Sequence, residues 1–124
     1  MQEIDKEKTF SQYVSPVLLG LRIYRALILN FCGVRAPFFC GHKLTYNCNL
    51  RCKMCPFWKR PSPDPSLAQE KTILKQIYNS GAVGVAFEGG EPLLRRDLVD
   101  ILAFSRSLPL HTSIITNGTL LKSE

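Results

Sequence analysis

The sequence has few of the features by which most function classes are recognised. Its only two histidines, His42 and His111, stand at no spacing from a carboxylate or nucleophile that would make a catalytic pair. Both read as structural, with His42 a remote candidate for a zinc ligand. No run is long enough to cross a membrane. Val17 to Cys32 is mostly apolar, but at 1.5 Å per residue it reaches only about 24 Å against a hydrocarbon core of roughly 30 Å. Arg22 and Arg25 lie inside it, each costing on the order of 3 kcal/mol at mid-bilayer. A secretory signal is not expected either, because the apolar run begins late, is broken by arginines and has no evident small-residue cleavage site. There is no basic stripe interleaved with aromatics. The net charge of +6 is spread over residues such as Arg22, Arg25, Arg35, Lys43, Arg51, Lys53, Arg95 and Arg106, which excludes a nucleic-acid reader and suits an acidic partner, a phosphate-bearing substrate or an anionic surface. The cysteine count is odd, five, with three crowded into eight positions. That excludes a secreted disulfide framework and points to a reducing, cytoplasmic setting, with membrane association at the inner surface as its variant. Cys32 and Cys40 read as small buried apolar side chains.

What is there suits one small domain. The chain has 124 residues, 45% of them hydrophobic, with eight glycines and eight prolines, which is ordinary globular composition. Residues 1–12 read as a mobile polar tail, 13–35 as an apolar to amphipathic helix with Pro16 in its first turn, and 36–124 as the domain core. The helix admits two readings. Either it packs against the core, or it lies in a membrane interface with its arginines at the headgroups and Leu18, Leu21, Ile28 and Leu29 at the acyl boundary. Beyond it, strand and helix alternate. The pattern predicts strands over Phe38–Tyr46, Ala82–Phe87 and Leu110–Thr116, with helices over Leu67–Ser80, capped by Ser66 and ended by Gly81, and over Arg96–Ser107, with Leu98, Ile101, Leu102 and Ser105 on one face. Buried strands separated by helices imply a parallel α/β sheet with right-handed crossovers. Sites in such sheets gather at the carboxyl ends of the strands.

Three motifs fall at those ends. Cys48, Cys52 and Cys55 form CxxxCxxC just after the first strand. Three thiolates on one loop can hold three corners of an iron–sulfur cube and leave the fourth iron open, or form a zinc knuckle completed by Cys40 or His42. The second strand ends in Glu88-Gly89-Gly90-Glu91-Pro92-Leu93, and the third in Thr116-Asn117-Gly118. Two consecutive glycines suit a backbone that must pass close to another group, and Glu91 adds a carboxylate able to accept from an ammonium.

This ordered trio resembles the radical S-adenosylmethionine (SAM) superfamily, over roughly Cys40 to Glu124. The resemblance implies a partial barrel of which the chain carries about three of about six parallel strand–helix units, preceded by the N-terminal helix. It implies a 4Fe-4S cluster on Cys48, Cys52 and Cys55, with SAM on its open iron, and Gly89, Gly90, Glu91 and Asn117 as cofactor-binding residues, Glu91 toward SAM's amino group. The activity implied is reductive SAM cleavage to a 5′-deoxyadenosyl radical that abstracts hydrogen from a substrate the sequence does not name. No catalytic residue is assignable beyond the cluster. An electron donor of flavodoxin or ferredoxin type and peripheral membrane contact through residues 13–35 are the implied partners. Met54 stands where an aromatic residue often lines the adenine side, and Phe57 and Trp58 are placed to cover the cluster. Because strands four to six would be missing, the third strand is expected to be an unpaired edge and the chain alone a weak catalyst. The alternatives are a non-catalytic zinc or iron–sulfur module and an inactive truncated fragment.

Overall fold

The structure is a computed structural model that describes residues 16–60 and 62–121. The tail expected over residues 1–12 lies outside the described residues. Helix α1 runs over Pro16–Phe31, strand β1 over Phe39–Thr45, α2 over Leu67–Asn79, β2 over Gly84–Gly89, α3 over Leu98–Ser107 and β3 over His111–Ile114. Two 3-10 turns, Phe57–Lys59 and Pro92–Leu94, follow β1 and β2. The three strands form one parallel sheet in the order β1-β2-β3, so the α/β architecture expected from the alternation is what forms. Among the described residues the outer edge of β3 pairs with no further strand.

The central strand is apolar because it is covered. Val85 and Phe87 of β2 are fully buried, together with Leu44 of β1, Leu74 of α2 and Ile101 of α3. At roughly 1.5–3 kcal/mol for each large apolar side chain buried, this layer is the main source of stability. Helix α2 starts where a capping box sets it: Gln69 N–H donates to the Ser66 hydroxyl, and the Gln69 side chain accepts from Ser66 N–H. On α3 the predicted face is the buried one, with Leu98, Ile101 and Ser105 inside.

Strands β1 and β3 are shorter than predicted, at Phe39–Thr45 and His111–Ile114, and β2 and α3 shift for local reasons. Strand β2 begins two residues later than predicted and continues to Gly89. Val83 and Gly84 both donate to the single carbonyl of Phe38 before regular pairing starts, and an irregularity between Lys43 and Thr45 lets the ladder extend to a Thr45–Gly89 pair. Helix α3 begins at Leu98 instead of Arg96 because Asp97 is held outside helical geometry, at φ −97° and ψ 12°, by a two-pronged pair with Arg95 at 2.9 and 2.8 Å.

Arg95 is the knot of the fold. Its guanidinium is almost fully buried and also donates to Glu70 Oε1 at 2.7 Å, to the Leu44 carbonyl at 2.7 Å and to the Pro65 carbonyl at 2.8 Å. It thereby joins the end of β1, the entry to α2 and the start of α3. Asp97 raises the Arg95 pKa above its ordinary value, and Arg95 lowers that of Asp97. Glu70, fully buried, takes its second partner from His42 Nε2 at 2.6 Å, so both of its oxygens have polar partners, as a buried polar group requires.

Helix α1 docks at the opposite end of the sheet from the cysteine loop. Arg22 donates to the carbonyls of Tyr78 and Ala82 and stacks over the Tyr78 ring at 4.4 Å, capping the exposed carbonyl end of α2. Ala26 beside it is buried. The arginine therefore faces the protein, whereas Val17, Leu21, Tyr24, Ile28 and Phe31 face outward. The packed reading of this helix holds for one face. The interfacial reading with Arg22 at lipid headgroups is corrected, since that guanidinium is engaged by α2.

Candidate cluster and cofactor site

Strand β1 delivers the cysteine loop and β2 seats it. Past the last paired residues, Gly90 N–H donates to the Thr45 carbonyl at 2.7 Å and Glu91 N–H to the Asn47 carbonyl at 2.8 Å, so the two strand ends stay zipped into the loop. The two glycines make this approach possible. A β-carbon on Gly90 would lie 2.1 Å from the Asn47 carbonyl oxygen, and one on Gly89, whose φ is +143°, would lie 2.2 Å from that of Thr45. What passes close to the glycines is thus the root of the cysteine loop itself.

Cys48, Cys52 and Cys55 are free thiols, Cys52 exposed and the other two half-buried. Leu50 N–H points to Cys48 Sγ at 3.4 Å. Cys55 N–H donates to the Cys52 carbonyl at 3.1 Å, and that carbonyl also accepts from Trp58 Nε1 at 3.1 Å. Trp58 therefore braces the loop backbone. Phe57 meets Tyr46 edge-on and lies under Lys43 Nζ. Met54 is 93% exposed at the tip. Among the described residues no three of His, Cys, Asp and Glu are arranged around a single ion. Neither candidate for a fourth zinc ligand is offered to the loop: His42 is bound to Glu70 and packed on Phe87, and Cys40 packs against the core within β1.

Glu91 is where the second and third motifs meet. It is fully buried, and its carboxylate accepts from Leu93 N–H at 3.1 Å, Thr116 Oγ1 at 2.6 Å and Asn117 N–H at 2.8 Å. Desolvation by burial pushes its pKa up, but the three hydrogen bonds together outweigh it and hold the carboxyl below its ordinary 4.5. These bonds tie the end of β2 to the turn after β3. Asn117 is exposed, with its side chain tied to Asn49 at 2.9 Å.

All the sequence-selected site residues therefore lie at the carboxyl end of one parallel sheet. Sequence reasoning missed Asn49 and Thr119, which carry no signal beyond lying in loops, and Arg95, which reads as one more surface cation until its five donors are traced. In its chemistry the donor set is the kind an iron–sulfur cluster takes: three free sulfurs on one loop, with no fourth protein donor turned toward them among the described residues.

The family model described as the radical SAM superfamily matches residues 43–124. The chain belongs to the radical SAM superfamily. The enzymes of this family use a 4Fe-4S cluster and SAM. Among solved structures, SuiB of Streptococcus suis bound to S-adenosylmethionine is 26% identical with a TM-score of 0.64. SuiB bound to the precursor peptide SuiA is 26% identical with a TM-score of 0.63. Each match covers 78% of this chain and 23% of SuiB, so the radical SAM chain described here spans less than a quarter of those relatives.

Proposed function

We propose that this chain forms the cluster- and SAM-binding part of a radical SAM enzyme, with Cys48, Cys52 and Cys55 as the ligands of a 4Fe-4S cluster. The observation that carries the reading is the seating of three free thiols beside the Gly89-Gly90-Glu91 strand end, with Glu91 joining that strand end to Thr116-Asn117. When bound, the cluster supplies one electron to SAM, which breaks a carbon–sulfur bond to give methionine and a 5′-deoxyadenosyl radical that takes hydrogen from substrate. The chain's own residues perform three tasks. The cysteines bind iron, the glycines let the loop sit against β2, and the backbone from Gly89 to Glu91 and around Asn117 borders the place for SAM's polar end.

A one-electron donor of flavodoxin or ferredoxin type is the partner this chemistry requires, and the exposed cations Arg51, Lys53, Lys59 and Arg60 around the loop suit an acidic protein. The likeness to SuiB supports a peptide as one substrate class. The outward apolar face of α1 supports peripheral contact with a membrane surface, and no helix among the described residues is long and apolar enough to cross one. Anaerobic reconstitution with iron and sulfide, followed by electron paramagnetic resonance of the reduced chain, tests the central claim. A 4Fe-4S signal that shifts on adding SAM, and is lost in Cys48→Ala, Cys52→Ala and Cys55→Ala, is expected. Zinc retention, or a cluster indifferent to SAM, refutes it.

A further inference from the structure

Around Cys48 the hydrogen bonds form a closed circuit. Asn49 Nδ2 donates to Thr119 Oγ1 at 2.7 Å, Thr119 Oγ1 donates to Asn117 Oδ1 at 2.7 Å, and Asn117 Nδ2 donates to Asn49 Oδ1 at 2.9 Å. Each side chain gives one bond to the next in the same sense, so the bonds polarise one another around the ring. Thr119 N–H adds a fourth bond to Asn117 Oδ1 at 3.0 Å. The ring spans the fold: Asn49 belongs to the loop after β1, Asn117 and Thr119 to the turn after β3.

The two neighbours of Cys48 are thus held from outside the loop. Asn47 is held through its carbonyl by Glu91 N–H, and Asn49 through the ring to Asn117, whose own N–H is held by the Glu91 carboxylate. Among the described residues, Cys52 and Cys55 have local support alone, from each other's backbone and from Trp58. One of three iron ligands is therefore referenced to the sheet and two are referenced to the loop.

We propose that Asn49, Asn117 and Thr119 form a latch that fixes Cys48 against the ends of β2 and β3, and that Asn49 and Thr119 are positioning residues for the cluster. This rests on the cluster reading above. A cluster bound to a loop anchored at one ligand keeps a set place relative to the Gly89–Glu91 strand end, where SAM must lie to reach the open iron. Since Asn49 and Thr119 touch neither the thiols nor the backbone at that strand end, they act through Cys48.

The test uses the whole chain. In the cluster-free protein, thiol alkylation resolved by mass spectrometry is expected to be roughly 3- to 10-fold faster at Cys48 in Thr119→Val and Asn49→Ala than in the parent, the scale of one lost hydrogen bond controlling a local opening. Cys52 keeps its rate, as does the distant Cys32, which is exposed just past the end of α1 and not buried as its residue type suggested. Thr119→Ser retains the hydroxyl and restores the slow rate at Cys48. The Asn49→Ala/Thr119→Val double variant is no faster than either single variant, because a ring broken once is already open. In the reconstituted protein the cluster's midpoint potential shifts in Thr119→Val and returns in Thr119→Ser. Unchanged Cys48 labelling in Thr119→Val, or equal acceleration at all cysteines, overturns the latch. If the parent chain assembles no cluster, the proposed function fails, while the labelling result still decides whether the latch exists.

Discussion

Replacing Gly90 by alanine isolates the contact on which the site is built. Gly90 does not adopt a positive φ, so alanine is allowed by the backbone and excluded only by what lies next to it. The new β-carbon would meet the Asn47 carbonyl oxygen at 2.1 Å, its carbon at 2.6 Å and the Tyr46 carbonyl carbon at 2.9 Å. A comfortable carbon–oxygen approach is about 3.3 Å, so the strand end and the loop root must part by about 1 Å. The neighbours are backbone and cannot swing aside. Crowding of this kind costs about 1–3 kcal/mol, and the separation strains two backbone hydrogen bonds, Gly90 to Thr45 and Glu91 to Asn47, at about 0.5–1.5 kcal/mol each. The total is about 2–6 kcal/mol. Gly33→Ala is the control: its φ is +80° with no atom within 4 Å, so it meets only left-handed backbone strain of about 1–2 kcal/mol. Urea unfolding followed by circular dichroism measures both, and alkylation of Cys48 reports whether the loop has moved. A Gly90→Ala protein that unfolds within about 0.5 kcal/mol of the parent, with Cys48 labelling unchanged, would refute the claim that the glycine pair seats the cysteine loop.

Two further outcomes follow from the buried charges. The Glu91 carboxyl is held below its ordinary 4.5, so its contribution to stability is complete above that pH and is lost as pH falls through the lower folded value. Glu91→Gln should flatten the fall in unfolding free energy below about pH 4.5 while lowering stability at neutral pH; an unchanged acid slope would refute this. Arg95→Met leaves Glu70 buried with only His42 beside it and takes the donor from two carbonyls, a loss of about 3–5 kcal/mol. Arg95→Met/Glu70→Leu should recover part of that loss in the same urea assay, and a double variant as unstable as the sum of the singles would count against the pairing.

Much of the fold was legible because each element carried its own local signal. Ser66 and Gln69 announce the start of α2, apolar spacing sets the face of α3, and three motifs mark three strand ends. The cysteines stood out as candidate ligands for the same reason, since their spacing is local. What could not be read is what depends on partners distant in sequence. Arg95 serves Leu44, which lies 51 residues away, and Asn49 serves Thr119, 70 residues away, and neither residue type predicts such an engagement. Glu91 was singled out at its strand end, but its bonds to Thr116 and Asn117, 25 and 26 residues on, emerge only once the turn after β3 is placed on top of it.

The same limit explains α1. Arginines inside an apolar run argue correctly against a membrane span, since each must stay hydrated or find acceptors. Sequence alone offers only water or headgroups as those acceptors. The fold offers a third, backbone carbonyls at and just beyond the end of α2, and Arg22 donates to two of them, at Tyr78 and Ala82. Once that guanidinium is fixed, helical geometry fixes the rest. Residues toward the far side of the helix from Arg22, such as Val17, Tyr24, Ile28 and Phe31, must point away from the sheet. Phe31 is 92% exposed in consequence. A single side chain that caps a neighbouring helix thus decides which face of α1 is spent on the fold, and it leaves the more apolar one outside.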